Sequence, residues 1–231
     1  NSIEECRHWR TAQKGSVGFI PTMGALHGGH LSLVRLAKQQ CTNIIVSIFV
    51  NPKQFAENED FDSYPQTIKQ DLKSLEVEAV DAVFLPRADQ MYQNNKEDYY
   101  FDTPLAFKLE GKSRPHFFKG VTTIVHKLFV IVNPTHAVFG QKDAQQLLII
   151  KQMISENQYG ITLIEGPSIR TKDGLALSSR NNYLNQSEQN RASNVYVGLL
   201  KIKGALSSGE KNPETLKLLF KNHIDLFPQL K

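Results

Sequence analysis

Only two of the 231 residues are cysteine, Cys6 and Cys41, and neither stands beside a group of histidines. Two isolated thiols argue against a disulfide framework and a cysteine-ligated metal, and they favour a reducing cytoplasm. No run approaches the ~18 consecutive apolar residues of a membrane span, so no membrane association is expected. The opening Asn1-Ser2-Ile3-Glu4-Glu5-Cys6 has no basic start followed by an apolar stretch, so no secretory signal is expected. Like charges never gather: 27 basic and 23 acidic residues leave +4, spread along the chain, with no arm suited to nucleic acid. G-x-S-x-G is missing, and no set of residues suggests covalent catalysis. Internal repeats and low-complexity tracts are also missing. What is left is a globular composition, 40% hydrophobic and 22% charged, long enough for one large domain and a small one.

The most informative stretch runs from Phe19-Ile20-Pro21-Thr22 through Met23-Gly24-Ala25-Leu26-His27-Gly28-Gly29-His30 into Leu31-Ser32-Leu33-Val34. An apolar run, Val17 to Ile20, reaches a proline, then a glycine-bearing turn, two histidines and an apolar-periodic segment. That pattern predicts strand, tight turn and helix, with the histidines in the first helical turn. A helix N-terminus offers unpaired N–H groups and partial positive charge, a ready phosphate site. Residues three apart share a helix face, so His27 and His30 address one ligand, and Gly24, Gly28 and Gly29 permit close backbone approach. A zinc pair is the plainer alternative, but H-x-x-H here has no further Cys or His ligands nearby. Two surface histidines would not explain the strand, turn and glycines.

Further along, Asn43 to Val50 is β-branched and almost wholly apolar, as in a strand covered on both faces, and it stops at Asn51-Pro52. A helix is expected after Pro65 through Ile68, Leu72 and Leu75, then a strand over Ala79 to Leu85. Gly120 to Val132 carries a helical apolar stripe. Ala137 to Gly140 reads as a strand, followed by a helix with Leu147, Leu148 and Ile154, and Ile161 to Ile164 as a last strand. Strands alternating with helices predict an α/β fold, a doubly wound, Rossmann-like parallel sheet with ligands beyond the strands' carboxyl ends. Gly166-Pro167 marks a boundary between residues 1–168 and a smaller, mostly helical domain, 169–231, with two helices around the turn Gly209 to Pro213.

Four polar segments fall at such ends or beyond the boundary: His27/His30, Asn51/Gln54, Gln141-Lys142-Asp143 with Gln146, and Ser178-Ser179-Arg180. Lys142 and Arg180 are cations of the type that stabilise charge on a transferring phosphoryl or adenylyl group. Asn51, Gln54 and Gln146 are neutral two-way hydrogen-bonding groups suited to hydroxyls and carboxylates of a small polar acid. Each has a plainer reading, as a solvated lysine, an ion-paired arginine, a loop residue or, for Asp143, a helix N-cap. Together they describe a pocket for a nucleoside triphosphate beside a small acid, working by positioning and charge stabilisation.

These segments resemble the pantoate–β-alanine ligase (pantothenate synthetase) family. The likeness rests on Pro21 to His30, on Phe49-Val50-Asn51-Pro52-Lys53-Gln54-Phe55, on Phe139 to Leu147 and on Asp173 to Asn181, in family order. The histidine motif alone marks only the wider nucleotidyltransferase superfamily. The resemblance implies ATP-dependent activation of pantoate to pantoyl adenylate, with Mg²⁺, then capture by β-alanine to give pantothenate and AMP. It implies ATP contacts at Met23, Gly24, Ala25, Leu26, His27, Gly28, Gly29 and His30, at Gly140, Gln141, Lys142 and Asp143, and at Ile169, Leu177, Ser178, Ser179 and Arg180. His30 takes the place of the family's proton donor, although a carboxylate nucleophile needs no deprotonation and phosphate stabilisation is its expected task. His27, Lys142 and Arg180 complete the catalytic set, Asn51, Gln54 and Gln146 hold pantoate and β-alanine, and a homodimer is implied. Two departures stand out. The family's R-P-x-H-F-x-G-V is here Arg114-Pro115-His116-Phe117-Phe118-Lys119-Gly120-Val121, its histidine one place early, and the family's C-terminal strands are not evident, so a reduced second domain is expected.

Overall fold

The computed structural model describes residues 1–92 and 99–230. Two compact units emerge, Asn1–Pro167 and Ser168–Lys231. The first begins with α1 (Ile3–Ala12), closed by a capping box in which Ser2 and Glu5 exchange side-chain and backbone bonds. Then come β1 (Val17–Thr22), α2 (Gly28–Lys38), β2 (Asn43–Ile48), α3 (Ile68–Val77), β3 (Ala82–Phe84), α4 (Ala88–Met91), α5 (Glu110–Ser113), α6 (Phe117–Val132), β4 (His136–Gly140), α7 (Ala144–Glu156) and β5 (Thr162–Gly166). The five strands form one parallel sheet in the order β3-β2-β1-β4-β5. This is the expected doubly wound sheet, reversing direction between β1 and β4.

Side chains alternate across the strands, so each face buries its own set. Phe19 and Ile45 pack with Val125, Phe129, Ile150 and Met153 of α6 and α7, while Ile20, Ile44 and Val46 pack with Val34, Ala37 and Leu75 of α2 and α3. α6 is apolar almost all round and is correspondingly buried along most of its length. Among the described residues no helix is long and apolar enough to cross a membrane.

Several details depart from expectation. β1 passes through Pro21 to Thr22, pairing with β2 at every position, whereas its pairing with β4 covers Gly18↔His136 and Phe19↔Ala137. The Thr22 carbonyl accepts from Phe49 N on the β2 side, so by alternation Pro21 turns its backbone toward the opened β4 side, where a missing donor removes no ladder bond. β3 is shorter than Ala79 to Leu85, because Ala79 turns at φ +48° to end α3 and Asp81 instead accepts from Ile44 N at 2.7 Å. Among the described residues of the second unit, a further short helix, α8 (Gln186–Ala192), precedes α9 (Asn194–Ser207) and α10 (Pro213–Ile224), which flank the Gly209 turn as expected.

Candidate active site

The turn after β1 is built around left-handed backbone. Gly24 sits at φ +84° and Ala25 at φ +48°. An alanine there is strained, and a carboxylate 46 positions on in sequence holds it: Asp71 accepts from Ala25 N at 3.0 Å, Leu26 N at 2.8 Å and Thr67 Oγ1 at 3.0 Å. Asp71 is 1% exposed. In sequence it is an ordinary charged helix residue, and no local signal would have singled it out.

The turn delivers His27 as the N-cap of α2 and His30 as its third residue. Each ring accepts a backbone N–H through Nδ1: Gly29 N donates to His27 at 3.1 Å, and His27 N donates to His30 at 3.3 Å. This is a capping box made of two histidines. Acceptance at Nδ1 assigns the proton of each neutral ring to Nε2, the edge available to a ligand. The rings are 4.1 Å apart, tilted by 32°. Burial, then His27 and Lys142, pushes His30 down to about 3, and burial, then Lys142, lowers His27, which Asp143 partly opposes. Lys142 and Asp143 of the turn after β4 therefore share the histidines' electrostatic environment across the opened β1–β4 edge.

Gln141, Lys142 and Asp143 are exposed on a 3₁₀ turn following Gly140. Asp143 occupies the N-cap position of α7 but makes no capping bond; its carboxylate lies 3.4 Å from Lys142 Nζ. Gln146 stands half-buried in the first turn of α7.

A second group forms where β2 ends. Asn51 is fully buried, caps the 3₁₀ turn Pro52–Gln54, and donates from Nδ2 to Gln54 Oε1 at 2.9 Å and to the Gly120 carbonyl at 3.1 Å. Tyr92 Oη donates to Asn51 Oδ1 at 2.6 Å, and Arg114 donates to the Gln54 carbonyl at 3.1 Å while pairing with Glu59 and Glu110. Gly120 is the tight point: a Cβ there would lie 2.1 Å from the Lys53 carbonyl oxygen. Asp71, Tyr92, Arg114 and Gly120 were all missed as site residues from sequence. His116 precedes α6 with its Nε2 buried and without a hydrogen-bond partner, and Phe117 lies under the Arg114 guanidinium at 4.0 Å.

The remaining expected contacts belong to the second unit. Leu177 N bonds to Ile169 O at 2.9 Å, closing a small hairpin around Gly174 at φ +95°. Ser178 caps a 3₁₀ turn by accepting from Arg180 N at 3.3 Å; Ser179 is buried and Arg180 exposed.

Fold and site define a doubly wound α/β protein in which the helix after the first strand is capped by paired histidines. A family model described as pantoate-beta-alanine ligase matches residues 1–227. Pantothenate synthetase of Thermosipho melanesiensis is 49% identical over 215 residues, 93% of this chain and 76% of the relative; that of Pseudothermotoga lettingae is 45% identical over 98% and 80%. A solved pantothenate synthetase from Thermus thermophilus superposes with TM-score 0.94 at 36% identity, covering 99% of this chain and 82% of that one. A pantoate-beta-alanine ligase from Francisella tularensis, complexed with beta-gamma ATP and beta-alanine, gives 0.83 at 35% identity, covering 96% and 84%. The chain belongs to the pantoate–β-alanine ligase family.

Proposed function

We propose that this protein condenses pantoate with β-alanine in two steps driven by ATP. A pantoate carboxylate oxygen attacks the α-phosphorus, and the bond to pyrophosphate breaks. The β-alanine nitrogen then attacks the acyl carbon of pantoyl adenylate; the carbon–oxygen bond to AMP breaks and the amine loses a proton, leaving pantothenate. The observation that carries this reading is the two-histidine cap with Lys142 in its field, in a chain matched by the family model over residues 1–227.

In this reading Met23 to His30 and Gly140 to Asp143 receive ATP. The Nε2–H groups of His27 and His30 and the Lys142 ammonium face phosphate oxygens, where charge develops. With its ring neutral down to about pH 3, His30 serves the free protein as an N–H donor rather than as an acid. Asn51, Gln54 and Gln146 receive the two acids, and Ile169 and the Leu177 to Arg180 stretch are assigned to ATP by the family likeness. A Mg²⁺ ion bound with ATP would supply charge neutralisation at the phosphates. Among the described residues no three His, Cys, Asp or Glu side chains gather, which suits an ion carried by the triphosphate and its waters rather than a protein cage. A homodimer, no nucleic-acid partner and a cytoplasmic setting complete the proposal.

The test mixes protein, ATP, Mg²⁺ and pantoate, adds β-alanine, and follows AMP and pyrophosphate. AMP release dependent on both acids is expected, with His30→Ala losing most adenylate formation while remaining folded. Pyrophosphate without AMP would indicate a transferase, and an inert protein would overturn both enzymatic readings.

A further inference from the structure

We infer that Tyr92 is a positioning residue that steadies Asn51 and, through it, the Gln54 amide that meets the hydroxy-acid substrate; this rests on the proposed placement of pantoate at Gln54. Asn51 is the intermediary. Its Oδ1 accepts from Tyr92 Oη at 2.6 Å and from Lys53 N at 3.2 Å, and its Nδ2 donates to Gly120 O at 3.1 Å and Gln54 Oε1 at 2.9 Å. A flipped Asn51 would set its amide nitrogen against the Lys53 N–H and its oxygen against the Gly120 carbonyl, so one orientation is selected.

That choice propagates. Gln54 spends its oxygen on Asn51 and keeps its Nε2 donors for a ligand, and Arg114 holds the Gln54 backbone carbonyl at 3.1 Å, so the side chain works from a fixed base. An amide presenting two N–H donors matches a carboxylate or hydroxyl oxygen. Without the Tyr92 hydroxyl, Asn51 Oδ1 retains only the Lys53 N–H as donor, and the buried amide pair keeps its orientation but is held less firmly. Tyr92 lies outside the motifs that carry the family likeness, and its ring also receives Lys53 Nζ at 4.6 Å from the centroid. Tyr92→Phe keeps that ring and removes only the hydroxyl.

The experiment compares Tyr92→Phe with the parent by steady-state kinetics, each substrate varied in turn, and by the ¹⁵N side-chain amide resonance of Gln54. The expected result is a rise of about five- to tenfold in KM for pantoate, the scale of one buried hydrogen bond, with KM for ATP within about twofold and a shifted or doubled Gln54 resonance. An unchanged Gln54 resonance overturns the relay even if the parent turns nothing over, in which case the functional reading fails separately. Equal rises in KM for pantoate and ATP also overturn it, because they indicate general loosening.

Discussion

Replacing Gly120 by alanine tests how α6 positions the Asn51–Gln54 turn, proposed above to receive the two acids. The added Cβ would stand 2.1 Å from the Lys53 carbonyl oxygen, 2.6 Å from its carbon and 3.0 Å from Gln54 N, all backbone. Ordinary contact needs about 3.5 Å, so helix and turn must separate by roughly 1.4 Å, and no rotamer change avoids it. Overpacking of this kind costs about 1–3 kcal/mol, or about 3–10 °C in melting temperature for a unit this size. Because the displaced atoms carry Asn51 and Gln54, a shift of about 1 Å should lower kcat/KM for pantoate by roughly a hundredfold. Calorimetry and kinetics would read both effects. Gly204→Ala is the control: it lies within α9, a Cβ there meets nothing within 4 Å, and it should be neutral or stabilising by about 0.5–1 kcal/mol. A Gly120→Ala protein matching that control in melting temperature and in KM would refute the reasoning.

Acid should weaken the fold through His30. Its folded value of about 3 lies below the unfolded value near 6.5, so between these the unfolded chain binds the extra proton; stability holds above 6.5 and falls as pH drops. His30→Gln keeps a side chain suited to the capping box and does not titrate, so denaturant titrations from pH 7 to 4 should show the slope reduced by about 1.4 kcal/mol per pH unit; an unchanged slope would count against the burial of His30. Asp71→Asn turns an amide N–H₂ toward Ala25 N or Leu26 N, and should cost about 2–3 kcal/mol with a larger rise in KM for ATP than for pantoate. Unaltered ATP binding in that variant would remove Asp71 from the support of the turn.

The histidine turn and the sheet were legible because their signals are local. β-branched runs, glycines at the turn and an N-cap three residues before its partner are written within a dozen positions. The supports were not legible, because each is a choice of partner across the chain. Asp71 reaches back 46 residues to Ala25, Tyr92 reaches 41 to Asn51, and Arg114 reaches 60 to Gln54. Asp143 shows the reverse failure, a good local cap candidate whose side chain instead lies against Lys142.

The amino-acid sequence by itself determined the strand–helix alternation and the motifs that carry the family likeness, since these depend on periodicity, short-range backbone preference and residue order. Only the tertiary structure decided how those residues are held and charged: which nitrogen of His27 and His30 accepts, how far burial beside Lys142 lowers His30, and which way the Gln54 amide faces. Hydrogen-bond direction and desolvation depend on what packing brings within about 3 Å, and a linear pattern does not contain that distance.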